Sequence, residues 1–370
     1  MMLRSFNFNA GPATMPLSVL ETIQRDLVDY KGQGLSVMEM SHRSTGFIEI
    51  AEQAEADLRK LLAVPDDYSV IFMQGGASTQ FALTVQNLDV NGEVAFANTG
   101  YWSRKAMAVA AQITQVREVA TVDSSGSGGV PGGAVSCVPS LASWADPGDA
   151  SYLHITDNET IDGVQLCELP QCSVPLVADM SSSILSKPID IARYGLIYAG
   201  AQKNIGPAGI TVVIVRNDLI DASTTPHPLA PVLSYKAMRD SGSMLNTPPT
   251  FAWYAAGLVF KWLLEQGGLS VVAERNERQA ARVYAAIDQS AAFSNSIHAS
   301  CRSIMNIPFQ LNDPAQQQAF LEGCEKRNLI GLKGHKSVGG LRASLYNAIT
   351  DEAVDRLVEY LDEFSREQYS

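Results

Sequence analysis

The chain has 370 residues, 46% hydrophobic residues and a formal net charge of −12, which permits one large α/β domain with a smaller companion. The negative charge makes nucleic acid and anionic membrane surfaces unfavourable partners. No apolar run approaches the ~20 residues of a membrane helix, and the first 16 residues lack the apolar core of a secretory signal, so we expect a cytoplasmic protein.

Helical patterns and short apolar runs alternate over the first two thirds of the chain. Residues 16–29 and 45–62 each indicate an amphipathic helix. Runs of strand length follow, with helical stretches at 79–87 and 102–111 between the earlier ones: residues 69–73, 93–97, 113–119, 152–155, 174–178, 196–199 and 210–215. Because several runs are continuously apolar, they are typical of strands covered on both faces. The pattern predicts a mostly parallel sheet with helices on both sides.

The last third has a different pattern. Residues 251–266 form an almost entirely apolar helix pattern, so that helix is expected to be buried on most sides. Further strands are predicted at 303–309, 331–333 and 340–345, and Thr350 is expected to cap the last helix. We therefore predict an N-terminal arm (1–16) that packs on the small domain, a large domain (17–266) and a small C-terminal α/β domain (267–370).

Two other features have simple interpretations. Residues 123–133 (DSSGSGGVPGG) could be a phosphate loop, but no helix pattern follows closely, so an exposed flexible loop is expected. The five cysteines, at 137, 167, 172, 301 and 324, form neither a CxxC pair nor a metal-ligand spacing. The sequence therefore predicts reduced thiols and no metal site.

Lys203 is the most informative residue of the chain. It follows the apolar run 196–199 and precedes a turn rich in Gly and Pro, which is a poor place for a solvated charge. Burial lowers the pKa of a lysine, and a neutral amine can form a Schiff base with a carbonyl. Asp179 ends the apolar run 174–178. A lysine that binds the aldehyde and a carboxylate that binds the pyridinium nitrogen are the pair that pyridoxal phosphate (PLP) uses.

Two segments could complete such a site. Residues 75–80 (GGASTQ) follow a predicted strand and open a helix, where free N–H groups bind phosphate well, although an ordinary strand-to-helix turn has the same pattern. Trp102 follows the next strand and could stack on a flat heterocycle, or could be an ordinary core or rim residue.

Five basic residues occur in short Gly/Ser contexts of this acidic chain: His42, Arg43, His335, Lys336 and Arg342. Each alone is compatible with a solvated surface charge. Together they indicate a small anionic substrate, since the arginine fork binds carboxylate or phosphate with two hydrogen bonds.

With these residues placed, the chain resembles the phosphoserine aminotransferases, which are class V aminotransferases of PLP fold type I. The matching segments run nearly end to end: residues 6–13, 36–43, 158–163, 198–209, 246–251 and 333–335. The stretch 200–204 (GAQKN) and the SHR sequence at 41–43 separate the chain from the related cysteine desulfurases.

The resemblance implies a reversible transamination of 3-phosphohydroxypyruvate with L-glutamate, which gives O-phospho-L-serine and 2-oxoglutarate in serine biosynthesis. The resemblance also allows a second substrate of the same kind, the one-carbon-longer 4-phosphohydroxy-L-threonine of vitamin B6 biosynthesis, and the sequence does not separate the two because both have the same charged ends. The resemblance also implies a homodimer with shared active sites.

The resemblance implies a role for each matched residue. Lys203 would bind the cofactor aldehyde and then move the proton at the substrate Cα, and Asp179 would keep the pyridine nitrogen protonated. The other cofactor ligands would be Trp102 and Thr160 at the ring, Ala77, Ser78 and Gln202 at the phosphate, and Asn246 and Thr247 from the second subunit. The substrate ligands would be Arg342 at the α-carboxylate, and His42, Arg43, His335 and Lys336 at the distal phosphate or carboxylate.

The chain departs from the family pattern at two places. Many members have Arg where this chain has Lys336, so the charge is kept without the fork. Some members have Gly-Arg where this chain has Ala77-Ser78, so the phosphate would depend on backbone groups and the Ser78 hydroxyl.

The sequence disfavours two other classes of function. A PLP-binding regulatory domain would need an attached DNA-binding module, and no basic helix-turn-helix pattern precedes residue 6. A desulfurase would need a nucleophilic cysteine in a mobile loop, and neither Cys301 nor Cys324 lies in an obvious Gly/Ser-rich segment.

Overall fold

The computed structural model describes residues 4–122, 136–221, 223–224 and 226–369. The predicted loop at 123–133 lies outside these residues. The α-helices of the described residues are α1 (Leu17–Asp26), α2 (Thr45–Leu62), α3 (Gly76–Leu88), α4 (Tyr101–Ala110), α5 (Asn217–Asp221), α6 (Tyr235–Asp240), α7 (Thr250–Glu265), α8 (Leu269–Asp288), α9 (Gln317–Lys326) and α10 (Asp351–Tyr369). Within this described part, no helix combines the length and the apolar character that crossing a bilayer requires.

The strands form three sheets. They are β1 (Phe6–Asn7), β2 (Tyr68–Met73), β3 (Glu93–Asn98), β4 (Gln115–Thr121), β5 (Leu153–Thr156), β6 (Leu176–Asp179), β7 (Leu196–Gly200), β8 (Thr211–Arg216), β9 (Phe293–Ser294), β10 (Asn306–Leu311), β11 (Leu329–Ile330) and β12 (Leu341–Ser344).

The central sheet has seven strands in the order β2-β8-β7-β6-β5-β3-β4. Strand β8 runs antiparallel to both neighbours, and the pairs from β7 to β4 are parallel. All residues of β2, β5, β6 and β7 are buried, as continuous apolar runs require when helices cover both faces. The prediction of a mostly parallel sheet with helices on both sides is confirmed.

Helix α7 packs between α2 and the sheet. Its Trp253 is 2% exposed, and its ring centroid lies 4.4 Å from that of Phe72 in β2 and 5.9 Å from that of Phe47 in α2. A Cβ added to Gly257 would lie 2.9 Å from the Cβ of Ala54, so glycine lets α7 approach α2 closely. Truncation of a buried aromatic residue of this kind typically costs about 3–5 kcal/mol of stability.

The C-terminal residues enclose a hydrophobic cluster of their own. The three-stranded antiparallel sheet β12-β10-β9 packs with residues of α8, α9 and α10. Strand β1 pairs in parallel with β11, Phe6 opposite Leu329, and Phe8 is buried in the same cluster.

Helix α7 ends at Glu265 and α8 begins at Leu269. The domain boundaries at residues 16 and 266 stay predictions.

Two predicted strands of the C-terminal part are shifted in the structure. Strand β11 lies at Leu329–Ile330 rather than at 331–333, because Gly331 adopts φ +82°, which turns the chain out of the extended form. Strand β10 begins at Asn306 rather than at 303, because the Ser303 hydroxyl accepts the N–H groups of Met305 and Asn306 in a turn. Thr350 does cap α10, since its hydroxyl accepts the N–H of Ala353 at 3.2 Å.

The expectation of five free thiols is wrong at two positions. Cys137 and Cys301 are joined by a disulfide, with their Cα atoms 5.5 Å apart. They are 164 positions apart in sequence, so spacing alone gave no sign that the fold brings them together. Cys167, Cys172 and Cys324 are free.

Candidate active site

A cavity of about 390 Å³ lies where the parallel strands end at their carboxyl side. Thr156 and Asp179 are the last residues of β5 and β6, and Lys203 lies three residues beyond β7. Sites at this edge are usual in open α/β sheets, because the loops that leave parallel strands converge there. The cavity is lined by Ala10, Gly11, Gly75, Gly76, Ala77, Ser78, Trp102, Thr156, Asn158, Thr160, Ile161, Asp179, Ser181, Ser182, Gln202, Lys203, His335 and Arg342.

The amine of Lys203 faces this cavity. Its Nζ donates to Oγ1 of Thr160 at 2.6 Å. Burial lowers the pKa of Lys203 to about 8; the Asp179 carboxylate opposes this fall and the Arg342 guanidinium adds to it. A lysine with such a pKa has a substantial neutral fraction near neutral pH, as a nucleophilic amine requires.

The Asp179 carboxylate is 7% exposed and ends β6 at the cavity. The backbone N–H of Ser181 donates to its Oδ1 at 2.8 Å. Burial raises the pKa of Asp179, whereas hydrogen bonds from Ser181 and the charge of Lys203 oppose the rise. A buried carboxylate with one oxygen held in this way can pair with a protonated ring nitrogen through the other.

The start of α3 forms a second wall of the cavity. Gly75 precedes the helix at φ 101°, and among the described residues no side chain caps this end. The first N–H groups of a helix have no partner within it and carry the positive end of the dipole. A Cβ at Gly200 would lie 2.8 Å from Oε1 of Gln202 and 3.4 Å from the nitrogen of Ala77. The end of β7 therefore lies against this anion-binding turn.

Arg342 and His335 line another part of the cavity. The Arg342 Nη1 donates to the carbonyl oxygen of Thr160 at 3.3 Å, while its Nε is buried without a hydrogen-bond partner in the described residues. Burial lowers the pKa of Arg342. Partial burial and the charges of Arg342 and Lys336 lower the pKa of His335. An unpartnered guanidinium N–H at the cavity is suited to a carboxylate ligand.

The structure brings together nine of the fourteen residues that the sequence singled out. These nine line the cavity: Ala77, Ser78, Trp102, Thr160, Asp179, Gln202, Lys203, His335 and Arg342. The other five lie outside its lining within this one chain: His42, Arg43, Asn246, Thr247 and Lys336. Thr247 lies close by, since its carbonyl oxygen accepts from the Gln74 side chain at 3.4 Å. The roles of all fourteen residues stay predictions.

Sequence reasoning missed several lining residues. Thr156 ends β5, and Asn158, Ser181 and Ser182 follow the ends of β5 and β6, so polar residues at and directly after the ends of predicted parallel strands were an available signal. Gly11 was within a matched segment, but no local pattern showed that it lies against the Lys203 turn. A Cβ on Gly11 would lie 3.4 Å from Cγ of Gln202 and 3.5 Å from Cγ of Lys203.

These residues fit PLP at each of its functional groups. The amine of Lys203 suits the aldehyde, the buried Asp179 suits the ring nitrogen, and the open N–H groups at α3 suit the phosphate. Trp102 supplies an aromatic face at the cavity wall. A cavity of about 390 Å³ is also in the usual size range for a cofactor of this kind.

Comparison with known proteins supports the same assignment. The family model described as Aminotransferase class-V matches residues 5–357. The phosphoserine aminotransferase of Azotobacter vinelandii is 50% identical over 369 residues, which cover 99% of each chain. That of Hahella chejuensis is 49% identical over 364 residues, which cover 98% of each chain.

Solved structures agree with these relatives. A phosphoserine aminotransferase from Bacillus circulans subsp. alkalophilus superposes with a TM-score of 0.92 at 43% identity, covering 99% of both chains. A PLP-bound phosphoserine aminotransferase from Trichomonas vaginalis gives a TM-score of 0.91 at 39% identity, covering 97% of this chain and 99% of that one. The predicted fold type I and the PLP cofactor are thereby confirmed. The chain belongs to the phosphoserine aminotransferase family of the class V aminotransferases.

Proposed function

We propose that the protein catalyses the reversible transfer of an amino group between O-phospho-L-serine and 2-oxoglutarate, with 3-phosphohydroxypyruvate and L-glutamate as the other pair. The observation that carries this proposal is the grouping of Lys203, Asp179 and Arg342 around one cavity. The relatives named above bear the name of this activity.

Each residue has a physical task in the reaction. When bound, PLP supplies an aldehyde that accepts the amino group and a ring that withdraws electrons from the substrate Cα. Lys203 would hold the aldehyde and, once displaced by the substrate amine, would take the proton from the substrate Cα and give it to the former aldehyde carbon. Its pKa of about 8 suits both steps, since proton transfer is most efficient when the pKa lies near the working pH.

The cations select the substrates. Arg342 receives the α-carboxylate that phosphoserine and glutamate share, and its unpartnered Nε is available for that contact. Lys336 would supply positive charge, and the neighbouring His335 a ring nitrogen for hydrogen bonding, to a distal phosphate or carboxylate. One cluster of cations can thus serve two substrates in turn, as a ping-pong reaction requires.

The proposal includes a homodimer in the cytoplasm. Asn246, Thr247, His42 and Arg43 do not line the cavity of their own chain. A second subunit related by a twofold axis could bring its copies of such residues to this cavity.

A half-reaction tests the proposal. The purified protein with bound PLP is mixed with phosphoserine in the absence of any 2-oxo acid, and the visible absorbance of the cofactor is followed. We expect the visible band to disappear as the amino group is transferred, and to return on addition of 2-oxoglutarate. A comparison of kcat/KM for phosphoserine and 4-phosphohydroxy-L-threonine then shows how far the longer substrate is accepted. Loss of the band with another amino acid but not with phosphoserine would reject the substrate and keep the cofactor.

A further inference from the structure

Glu159 is a buried carboxylate whose position is not explained by packing. It is 0% exposed, and both of its oxygens are used. Oε2 accepts the N–H of Trp102 at 2.7 Å, and Oε1 accepts the N–H of Ser103 at 2.9 Å. Burial raises the pKa of Glu159 to about 7, and the Asp162 carboxylate adds to the rise. Burying the charge of the Glu159 carboxylate is unfavourable, and the hydrogen bonds from these two N–H groups offset part of that cost.

Those partners belong to the first turn of α4. Asp162, three residues further along the same loop, accepts the N–H of Tyr101 through Oδ2 at 2.8 Å. The N–H groups of the first three residues of α4 are therefore all bound by Glu159 and Asp162, which we call the carboxylate clamp. Orphan N–H groups and the helix dipole favour negative charge at this end.

Gly100 leaves room for the clamp. A Cβ added there would lie 2.7 Å from Oδ2 of Asp162 and 2.7 Å from Cγ and Cδ of Glu159. The φ of Gly100 is 165°, which is extended backbone that any residue can adopt. Glycine is thus needed at this position for space, and not for conformation.

The loop that carries the clamp also contacts the active-site cations. Thr160, next to Glu159, accepts from Nζ of Lys203 at 2.6 Å and, through its carbonyl oxygen, from Nη1 of Arg342 at 3.3 Å. Trp102, whose N–H the clamp holds, lines the same cavity. One short loop therefore connects the backbone of the cavity tryptophan with the nucleophilic amine and the substrate-binding arginine.

We propose that Glu159 is a positioning residue, which fixes Trp102 relative to Lys203 at the cavity wall, where the indole ring would stack on the cofactor. The inference rests on the proposed PLP chemistry. Glu159 does not line the cavity. It holds the first turn of α4, and its charge also raises the pKa of Lys203. Removing its charge while keeping its shape should loosen the cofactor without unfolding the protein.

The test uses Glu159→Gln, which keeps the shape but turns an amide NH₂ towards a backbone N–H. We expect a loss of about tenfold in PLP affinity, since hydrogen bonds to a charged acceptor are stronger than those to a neutral amide. The visible circular dichroism of the bound cofactor should fall, and kcat should fall more than KM for phosphoserine rises.

Asp89→Asn is the matched control. Asp89 is also 0% exposed and accepts the N–H of Gly92 at 2.9 Å and the Ser151 hydroxyl at 2.7 Å, but neither of these partners lines the cavity. This variant should lower stability and leave the visible circular dichroism and kcat unchanged.

A double-mutant cycle separates positioning from general structural support. In a Trp102→Ala background, Glu159→Gln should weaken PLP binding by less than about twofold, because the ring that it positions is gone. An equal loss with and without Trp102, or an unchanged visible circular dichroism in Glu159→Gln, would overturn the inference.

If Glu159→Gln does not fold, Gly100→Ala can replace it in the test, because it perturbs the same carboxylate clamp. Its Cβ pushes against both carboxylates, so the same loss of visible circular dichroism is expected, and an unchanged signal contradicts the inference. If the wild-type protein does not bind PLP, the proposed function itself is rejected. If the wild-type protein binds PLP and Glu159→Gln binds it equally well, only the inference about Glu159 is rejected.

Discussion

The amine nitrogen of Lys203 lies 2.6 Å from the hydroxyl oxygen of Thr160. Charges of both signs surround this amine and shift its pKa in opposite directions. Asp179 raises the pKa of Lys203 and Arg342 lowers it, while burial lowers it most. The reactivity of the amine is therefore set by its surroundings.

The rate of PLP incorporation should depend on pH in a predictable way. With a pKa of about 8, about a tenth of Lys203 is neutral at pH 7, against a negligible fraction of an ordinary lysine. Because only the neutral amine attacks the aldehyde, the rate in apo-protein should rise with pH and level off above about 8. Growth of the visible absorbance after mixing measures this rate.

Two variants should move the midpoint pH of this rate profile in opposite directions. Asp179→Asn removes a charge that raises the pKa of Lys203, so the midpoint should fall. Arg342→Met removes a charge that lowers it, so the midpoint should rise. A wild-type midpoint near that of an ordinary lysine would show that burial does not control the amine.

Arg342 and Lys336 should differ in which substrates they affect. Arg342→Lys removes the fork from the α-carboxylate that both amino donors share, so KM should rise about tenfold or more for phosphoserine and glutamate alike. Lys336→Arg supplies a fork for the distal anion and should lower KM for phosphoserine more than for glutamate. Steady-state kinetics with each donor check both. A change for one donor alone in Arg342→Lys would contradict its assignment.

Subunit mixing tests whether active sites are shared. A Lys203→Ala chain and an Asn246→Ala/Thr247→Ala chain are each expected to form poorly active dimers. If residues 246 and 247 act on the partner's cavity, mixed dimers contain one intact site, and random mixing restores about a quarter of wild-type activity. If those two residues act within their own chain, mixing restores nothing. Re-formed homodimers of each single variant serve as controls.

Thr350 should affect stability without affecting catalysis. Its hydroxyl caps α10 by accepting the N–H of Ala353 at 3.2 Å. Thr350→Ala should lower the free energy of unfolding by about 1 kcal/mol, whereas Thr350→Ser keeps the hydroxyl and should cost less. Urea denaturation of both variants measures the difference. Equal losses in the two would mean that the methyl group matters more than the cap.

The central sheet was predictable from the sequence because buried parallel strands are continuous apolar runs. Lys203 and Asp179 were predictable for a related reason, since charged residues directly after such runs must lie at the sheet edge. Strand β11 was misplaced because its two residues are too few to show a period, and the turn at Gly331 has no sequence signal beyond the glycine.

Long-range relationships were not predictable from one sequence. Nothing local shows that Glu159 lies under the first turn of α4, because the residues that meet there are more than fifty positions apart. The Cys137–Cys301 pairing is hidden for the same reason. Residues expected to complete a partner's cavity also cannot be placed from a single chain.

The pairing of β1 with β11 has a consequence for the order of synthesis. The N–H of Phe6 donates to the carbonyl oxygen of Asn328 and that of Phe8 to Ile330, both at 2.8 Å. Strand β11 leaves the ribosome about 320 residues after β1, a delay on the order of 16–65 s at typical elongation rates. Ala10 and Gly11, which follow β1 and line the cavity, cannot be anchored in this way before then. The cavity therefore gains its final wall only near the end of translation, so the cofactor should bind tightly only to chains that are almost fully made.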